Sequence, residues 1–272
     1  MLTLPPLLFA LKGTEIYAGR VAQRLGCQLA RHEERDYEDG EHKCRPLDPV
    51  GGRDVVVFHS LYGDGQQSAN DKLCRLLFFC GALKDADARH VQVVTPYLCY
   101  GRKDRRNQPQ DPTITRYVAA LIEASGVDRL IALDVHNPAA FDNAFRIPTR
   151  NLQCTELFAG HFAGLVGDAE VVAVSPDSGG SKRAEQFRQA LERQLGRPVG
   201  SALMEKHRDH ATLTGTLLIG EVSGKTAIVF DDLISTGETL THAGLACQTA
   251  GAARLFAAAT HGLFTAGSRL FD

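Results

Sequence analysis

The 272-residue sequence has no apolar run approaching the roughly 20 residues that a membrane-spanning helix needs. It also lacks an excess of either charge, because 30 lysines and arginines nearly balance 32 aspartates and glutamates and leave a net charge of −2. With an isoelectric point near 6.6, this balance argues against nucleic-acid binding through bulk electrostatics. We therefore expect neither a membrane nor a nucleic acid as a partner.

Cysteine is present but follows no pattern, since seven residues are scattered along the chain without a CxxC pair. An odd, scattered set indicates neither a disulfide framework nor a zinc site, so we expect a reduced, cytoplasmic setting. The first residues, MLTLPPLLFALKG, are apolar but include no basic segment and no small-residue cleavage site. We interpret them as leading into the first strand, at residues 7–11, and not as a signal peptide.

The remaining composition, 44% hydrophobic and 23% charged, is typical of a soluble globular protein of one large or two medium domains. Both halves show strand–helix–strand order with polar residues where strands end, although no internal repeat is visible. We therefore predict an α/β protein with two related domains, each a mostly parallel central sheet flanked by helices. The expected domains are residues 1–147 and 148–272.

The most informative stretch is AIVFDDLISTGETL, residues 227–240. An apolar run typical of a buried parallel strand leads into Asp231 and Asp232. A small, hydroxyl-rich turn around Gly237 then opens a predicted helix, whose N-terminus favours a phosphate. Carboxylates at that sheet edge can accept hydrogen bonds from ribose hydroxyls or act through a divalent cation. The alternative is an ordinary strand-to-helix turn with an aspartate or serine cap. The stretch resembles the phosphoribosyl-diphosphate loop of phosphoribosyltransferases and ribose-phosphate diphosphokinases.

A second polar stretch, residues 31–41, is a charge run that predicts a solvated hairpin. The functional alternative is that Tyr37 stacks on a nucleobase while Asp39 and Glu41 bond its edge.

A third stretch, residues 96–106, follows a predicted strand and contains two aromatic residues and four cations. Basic side chains at the carboxyl edge of a parallel sheet suit a polyphosphate, because arginine offers a planar fork and lysine a point charge. The alternative is a solvated basic loop in which Asp104 pairs with its neighbours.

Metal-binding candidates occur where predicted strands end. The strand at residues 128–134 leads to Asp134 and His136, and residues two apart on a strand face the same side. His136 could therefore bind a hard cation, with Asp134 as a further ligand or as the group that orients the imidazole. The alternative is a histidine with an ordinary polar role.

Two further polar segments follow in the second half of the chain. Asp177 stands between a predicted strand and a glycine-rich turn. Residues 206–210 lack apolar periodicity, which predicts a mobile loop.

Taken in order, these stretches resemble one family, the ribose-phosphate diphosphokinases, over residues 7–264. Ordinary phosphoribosyltransferases share only the phosphate loop, so the other segments together discriminate between the two. The resembling segments are YEDGE at 37–41, PYLCYGRKDR at 96–105, DVH at 134–136, SPDSGG at 175–180 and KHR at 206–208.

The resemblance implies two phosphoribosyltransferase-like domains and transfer of the diphosphoryl group of Mg-ATP to the 1-hydroxyl of ribose 5-phosphate. The products would be phosphoribosyl diphosphate and AMP. Such chemistry depends on positioning and charge neutralisation more than on covalent help from the protein. The resemblance also implies Mg²⁺ as cofactor, ATP and ribose 5-phosphate as substrates, and a homo-oligomer.

Site residues follow from the same resemblance. Those implied to bind ATP are Tyr37, Asp39, Glu41, Arg102, Lys103 and Arg105. Those implied to bind ribose 5-phosphate are Asp231, Asp232, Ser235, Thr236, Gly237, Glu238 and Thr239. Metal binding is implied for His136, Asp177 and Asp134, and a catalytic role for Lys206 and Arg208.

The sequence also departs from the family pattern. Lys103 stands where the family usually has glutamine, Tyr37 replaces phenylalanine, and Ser235 stands where many members have aspartate. Residues 137–143, NPAAFDN, differ from the usual Gln-Ile-Gln-Gly-Phe-Phe, a segment that supports subunit contacts and the metal site. The chain ends at Asp272, where members usually continue for another strand and helix. We therefore expect a divergent member, short at its C-terminus, with an unprotected sheet edge.

Two other functions stay open from the sequence. A phosphoribosyltransferase would use ready-made phosphoribosyl diphosphate and would need no ATP site, against the segments at 37–41 and 96–105. A non-catalytic regulatory paralogue would bind nucleotide or partner enzymes. The retained Lys206, Arg208, His136 and Asp177 argue against it, whereas the departure at 137–143 leaves room for it.

Overall fold

The computed structural model describes residues 5–209, 212–265 and 268. The chain divides into two compact units, of which the first ends at Leu152 and the second begins at Gln153. Each unit is built on a five-stranded sheet with helices packed against it, and this confirms the predicted α/β class. None of the helices in the described part of the chain has the length and apolar character of a membrane span.

The first unit alternates strands and helices, interrupted by a hairpin after the first helix. Its elements are β1 (Leu7–Ala10), α1 (Glu15–Arg24), β2 (His32–Asp36), β3 (His42–Pro46), β4 (Asp54–Phe58), α2 (Ala69–Asp85), β5 (His90–Thr95), α3 (Ile114–Ala124), β6 (Arg129–Leu133), α4 (Pro138–Ala144) and β7 (Thr149–Leu152). The sheet has the order β1-β4-β5-β6-β7, and neighbouring strands are parallel.

The core of the first unit lies on both faces of this sheet. On one face, Phe9 and Val57 pack with Leu76 and Phe79 of α2. On the other face, α1 contributes Ala18 and other small side chains, which allow it to lie close to the strands. Strands buried on two faces need continuous apolar runs, and the VVVF run within β4 is an example.

Local sequence accounts for the start of α2 and for the hairpin. Ser68 Oγ accepts a hydrogen bond from Asp71 N, and the Asp71 carboxylate accepts one from Ser68 N, so the two residues form a capping box. The polar stretch at 31–41 forms β2 and the tip of an antiparallel hairpin, as its charge pattern predicted, and β3 follows as the second strand.

The second unit consists of α5 (Thr155–Val166), β8 (Val171–Ser175), α6 (Ser181–Leu195), β9 (Gly200–Asp209), β10 (Thr212–Ile219), β11 (Thr226–Ile234), α7 (Glu238–Thr249) and β12 (Arg254–Gly262). Its sheet has the order β10-β9-β8-β11-β12, in which β10 is antiparallel to β9 and the other pairs are parallel. Phe187 of α6 stacks on Phe230 of β11 at a centroid distance of 4.4 Å, which fixes this helix on the sheet.

Two strands of the second sheet are longer than the sequence predicted. β9 reaches Asp209 because β10 pairs with it along this length, with Lys206 opposite Thr216. The predicted mobile loop at 206–210 is therefore wrong for the backbone of residues 206–209, and His210 lies outside the described residues. β11 likewise continues through the acidic pair, because β12 pairs as far as Ile234 whereas β8 pairs only as far as Val229.

The boundary between the units also depends on pairing. The sequence suggested a division after residue 147, whereas β7 pairs with β6 and belongs to the first sheet, so the first unit extends to Leu152. α4, β7 and α5 had no clear sequence signal of their own.

Candidate active site

The turn between β11 and α7 has the geometry of an anion site. Gly237, the residue before α7, has a φ of +83°, a left-handed conformation that favours glycine. It brings no capping side chain, and Thr236 Oγ1 lies 3.5 Å from Glu238 N, at the limit of a hydrogen bond. The first amides of a helix have no intrahelical partner and carry the positive end of the helix dipole. The turn can therefore accept a phosphate.

Two adjacent carboxyl groups lie on β11 just before this turn. Asp232 is buried and Asp231 is half-buried, and both approach one guanidinium of α6. Arg183 Nη1 donates to Asp231 Oδ1 at 2.8 Å and lies 3.1 Å from Asp232 Oδ1. Burial and the neighbouring Asp232 raise the pKa of Asp231 to about 7, although Arg183 acts in the opposite direction. Near neutral pH the pair therefore holds a proton part of the time and offers several oxygen acceptors.

Arg183 is a residue of this site that sequence reasoning did not select. The available signal was its position three residues after Gly180, in the first turn of a helix that follows an acid-containing turn. The pattern could not show that its side chain reaches β11, because that contact depends on how α6 packs on the sheet.

The turn between β8 and α6 presents Asp177 in a fixed orientation. Asp177 Oδ1 accepts a hydrogen bond from Gly180 N at 2.9 Å, and Ser175 Oγ donates to Asp177 O at 2.7 Å. A Cβ at Gly180 would lie 3.1 Å from Ser175 Oγ, and one at Gly179 would lie 3.3 Å from Asp177 Oδ1. A side chain at either position would therefore require the neighbouring oxygen to shift by a few tenths of an ångström. Among the described residues, only Gly180 bonds the Asp177 carboxylate.

In the first unit, the hairpin tip carries three predicted ATP-binding residues. Tyr37 is 41% exposed, and the Arg35 guanidinium lies 5.2 Å from the centre of its ring. Tyr37 N donates to Glu41 O at 2.8 Å, and Glu41 N donates to Asp39 Oδ1 at 3.0 Å. The tip is thus an ordered turn with an aromatic face and exposed carboxylates.

The basic loop after β5 combines a fixed backbone with exposed cations. Lys103 N donates to Tyr100 O at 3.0 Å, and Thr115 Oγ1 donates to the same carbonyl at 2.8 Å. Arg102, Lys103 and Arg105 are exposed, and none of them forms an ion pair with a residue that the structure describes. Asp104 instead accepts from Asn137 Nδ2 at 2.6 Å, so it does not neutralise the neighbouring cations as the alternative supposed.

Asp134 and His136 differ from the prediction in their backbone geometry. β6 ends at Leu133, and Asp134 has a φ of +35°, so these residues lie beyond the strand. The prediction that their side chains face the same side is therefore wrong, because side chains alternate in this way only along an extended backbone. Asp134 is buried whereas His136 is exposed. Their metal-binding role stays a prediction.

The structure distributes the predicted site residues between the two units. The first unit contains Tyr37, Asp39, Glu41, Arg102, Lys103, Arg105, Asp134 and His136. The second contains Asp177, Asp231, Asp232, Ser235, Thr236, Gly237, Glu238 and Thr239. Lys206 and Arg208 lie on the backbone of β9, and their side chains lie outside the described part of the structure.

A strand, an acidic pair, a left-handed glycine and a helix N-terminus on a mostly parallel sheet define the class of phosphoribosyltransferase-like α/β proteins. Residues 7–126 match the family model for the N-terminal domain of ribose phosphate pyrophosphokinase. Residues 213–270 match the phosphoribosyl synthetase-associated domain. The chain belongs to the ribose-phosphate pyrophosphokinase family.

Individual relatives agree with this assignment. The chain is 37% identical over 251 residues to a ribose-phosphate pyrophosphokinase of Fusobacterium nucleatum, covering 91% of this chain and 76% of that protein. It is 36% identical over 259 residues to ribose-phosphate pyrophosphokinase 1 of Streptococcus pneumoniae, covering 93% and 77%. The crystal structure of phosphoribosylpyrophosphate synthetase from Mycobacterium smegmatis superposes with a TM-score of 0.86 at 29% identity, covering 97% and 84%.

Proposed function

We propose that this protein transfers the diphosphoryl group of Mg-ATP to the 1-hydroxyl of ribose 5-phosphate, giving phosphoribosyl diphosphate and AMP. The observation that carries the proposal is the left-handed Gly237 turn at the uncapped start of α7, directly after Asp231 and Asp232. Such a turn suits a sugar phosphate, and family membership points to the diphosphokinase reaction.

On the acceptor side, the roles follow from the chemistry of each group. The 5-phosphate would be held by the turn and first helical residues Ser235, Thr236, Gly237, Glu238 and Thr239 through backbone amides and hydroxyls. Asp231 and Asp232 would accept hydrogen bonds from the ribose hydroxyls. Arg183 already bonds one of these carboxylates and would limit the positions that they can adopt.

On the donor side, Tyr37 would stack on the base of ATP, and the carboxylates of Asp39 and Glu41 would accept from its exocyclic amine. The polyphosphate would meet Arg102, Lys103 and Arg105. Their exposure, and the lack of ion pairs with described residues, support this role.

The proposed ligands suit Mg²⁺, although they do not form a cluster of three protein side chains. Among residues 5–209, 212–265 and 268, no group of three or more His, Cys, Asp or Glu side chains could hold a metal ion. Mg²⁺ commonly takes one or two carboxylates together with waters and substrate phosphates. Asp177 offers a carboxylate oxygen that is not used by Gly180, and Asp134 and His136 are the proposed ligands in the first unit. When bound, the ion would neutralise charge on the transferring group.

In the proposed reaction, the 1-hydroxyl attacks the β-phosphorus in line, an oxygen–phosphorus bond forms, and the bond to the α-phosphate oxygen breaks as AMP leaves. Lys206 and Arg208 would stabilise the charge on the transferring group. Their place on β9 puts both in the same sheet as the acidic pair.

The test is AMP formation from Mg-ATP, measured with and without ribose 5-phosphate. We expect AMP only when both substrates are present, together with phosphoribosyl diphosphate in equal amount. No AMP from a folded protein that binds ATP would overturn the proposal and favour a regulatory paralogue. Release of pyrophosphate from phosphoribosyl diphosphate and a nucleobase, without ATP, would favour a phosphoribosyltransferase.

A further inference from the structure

Asn137 joins the turn after β6 to the basic loop after β5. The two strands are parallel neighbours, with Thr95 opposite Ala132, so the segments that follow them leave the sheet at the same edge. Asn137 Nδ2 donates to Asp104 Oδ2 at 2.6 Å, and this bond spans 33 positions of the chain. Residue 137 begins the stretch that departs from the family pattern, so the resemblance carries no role over to it.

Helix α4 holds Asn137 in place. The side-chain oxygen of Asn137 accepts from Ala140 N at 3.2 Å, and its backbone carbonyl accepts from Phe141 N at 3.0 Å, so Asn137 is the N-cap of this helix. α4 is in turn fixed on the core, because Phe141 is buried and packs edge-on against Phe145 at a ring-centre distance of 5.3 Å. The Asn137 amide therefore uses its oxygen for the helix and its nitrogen for Asp104.

The second half of the basic loop depends on this bond. The first half is anchored at Tyr100, whose carbonyl oxygen accepts from Lys103 N and from Thr115 Oγ1. Among the residues that the structure describes, the bond from Asn137 is the one hydrogen bond formed by residues 104–106. The position of these residues is therefore set by α4 and its cap.

We propose that Asn137 is a positioning residue for Mg-ATP, which holds Asp104 so that Lys103 and Arg105 meet the polyphosphate at a fixed place. The inference rests on the proposed function, which assigns these cations to the polyphosphate and the preceding His136 to the metal ion. Because the Asp104 carboxylate is occupied by an amide, the two cations beside it stay available for phosphate oxygens. Asn137 acts through Asp104 and contacts no substrate itself.

Two substitutions separate the contact with Asp104 from the helix cap. Asn137→Ser keeps a cap of similar quality but is too short to reach Asp104, whereas Asn137→Ala removes both interactions. We expect both variants to raise KM for ATP about fivefold, with KM for ribose 5-phosphate within about twofold of the wild type, because that substrate is proposed to bind the second unit. Only Asn137→Ala should also unfold at a lower temperature, by about 2–4 °C.

The matched control is Asn143→Ser, which makes the same change in the same helix. It removes an exposed amide that bonds Ala139 O at 2.8 Å, and its KM values should equal those of the wild type. A rise in KM for ATP in Asn137→Ala but not in Asn137→Ser would show that only the cap matters, and would overturn the proposal. Equal rises in KM for both substrates would overturn it as well.

Trypsin cleavage gives a readout that needs neither substrate nor turnover. The basic loop offers several exposed cleavage positions, at Arg102, Lys103, Arg105 and Arg106. Without the bond to Asp104 the loop should open more often, so Asn137→Ser should be cut within residues 102–106 about threefold faster than the wild type or Asn143→Ser. Equal cleavage rates in these three proteins would reject the positioning role. Faster cleavage of Asn137→Ser, together with a wild type that forms no AMP, would reject the proposed function instead.

Discussion

Arg183 of α6 donates a hydrogen bond of 2.8 Å to Asp231 of β11. The contact joins α6, which follows the turn that carries Asp177, to the strand that leads into the turn around Gly237. Because Asp232 lies beside Asp231 and is buried, one cation faces two acids that cannot both be charged at low cost. The protonation of this group is therefore expected to govern both stability and ribose binding.

The first prediction concerns stability as a function of pH. The pKa of Asp231 is raised from 3.8 to about 7 by burial and by Asp232. Between these two pKa values, the folded protein binds a proton at Asp231 that the unfolded chain does not bind. The protonated carboxyl therefore stabilises the folded state at low pH, and this stabilisation is lost as pH rises through 7. Asp231→Asn should therefore unfold a few degrees above the wild type at about pH 8, with a smaller difference at about pH 4. Equal pH slopes for the two proteins in thermal unfolding would contradict the shift.

The second prediction concerns Arg183. Arg183→Gln removes the cation that favours the ionised acid, so the pKa of Asp231 should rise further. The acidic limb of the pH profile of kcat/KM for ribose 5-phosphate is expected to move up by about one pH unit. Arg188→Gln serves as the control, because Arg188 lies on the same helix but pairs with Glu185 and Glu192. A profile that stays in place would mean that Arg183 does not control the acid pair.

The third prediction concerns the turn around Gly237, which is proposed to bind the 5-phosphate. Gly237→Ala places a side chain at a φ of +83°, which costs about 1–2 kcal/mol in stability. Gly224→Ala is a matched control, since Gly224 has a φ of +70° in the same unit and a Cβ there meets no atom within 4 Å. Both variants should lose similar stability in denaturant unfolding, but only Gly237→Ala should raise KM for ribose 5-phosphate. Equal KM values for ribose 5-phosphate in the two variants would contradict the proposal that this turn binds the phosphate.

The fourth prediction concerns Lys206. Lys206→Ala is expected to lower kcat by about 10²–10³-fold with little change in the KM values, because its charge would act on the transition state. Lys225→Ala, which removes the 3.9 Å contact of a half-buried lysine to the exposed Glu170, should leave kcat unchanged. Turnover is measured as AMP formed per enzyme. An unchanged value in Lys206→Ala would contradict the proposed catalytic role of Lys206.

Much of the molecule was visible in local patterns. β1, at Leu7–Ala10, agrees with the strand predicted at residues 7–11, and α7 begins at Glu238, directly after the predicted turn around Gly237. The α/β class with two mostly parallel sheets followed from the order of such segments. These features depend on side chains close together in the chain, so local sequence patterns are enough to predict them.

Strand ends were predicted less well, because they depend on a neighbouring strand. Asp231 and Asp232 looked like the end of a strand, yet pairing with β12 continues past them. Residues 206–209 looked like a loop, yet β10 supplies their hydrogen bonds. A polar residue carries no local sign of whether a partner strand will satisfy its backbone.

The amino-acid sequence alone was enough for the fold class, the tight turn around Gly237 and the exposed basic segment after β5, because each is a short-range pattern with a known preference. Only the tertiary structure decided that Arg183 faces the acid pair and that Arg75, a buried residue of α2, pairs with Glu34 of β2. Both contacts join residues about 40 or more positions apart, brought together by helices that pack on their sheets, and no spacing rule covers such a distance.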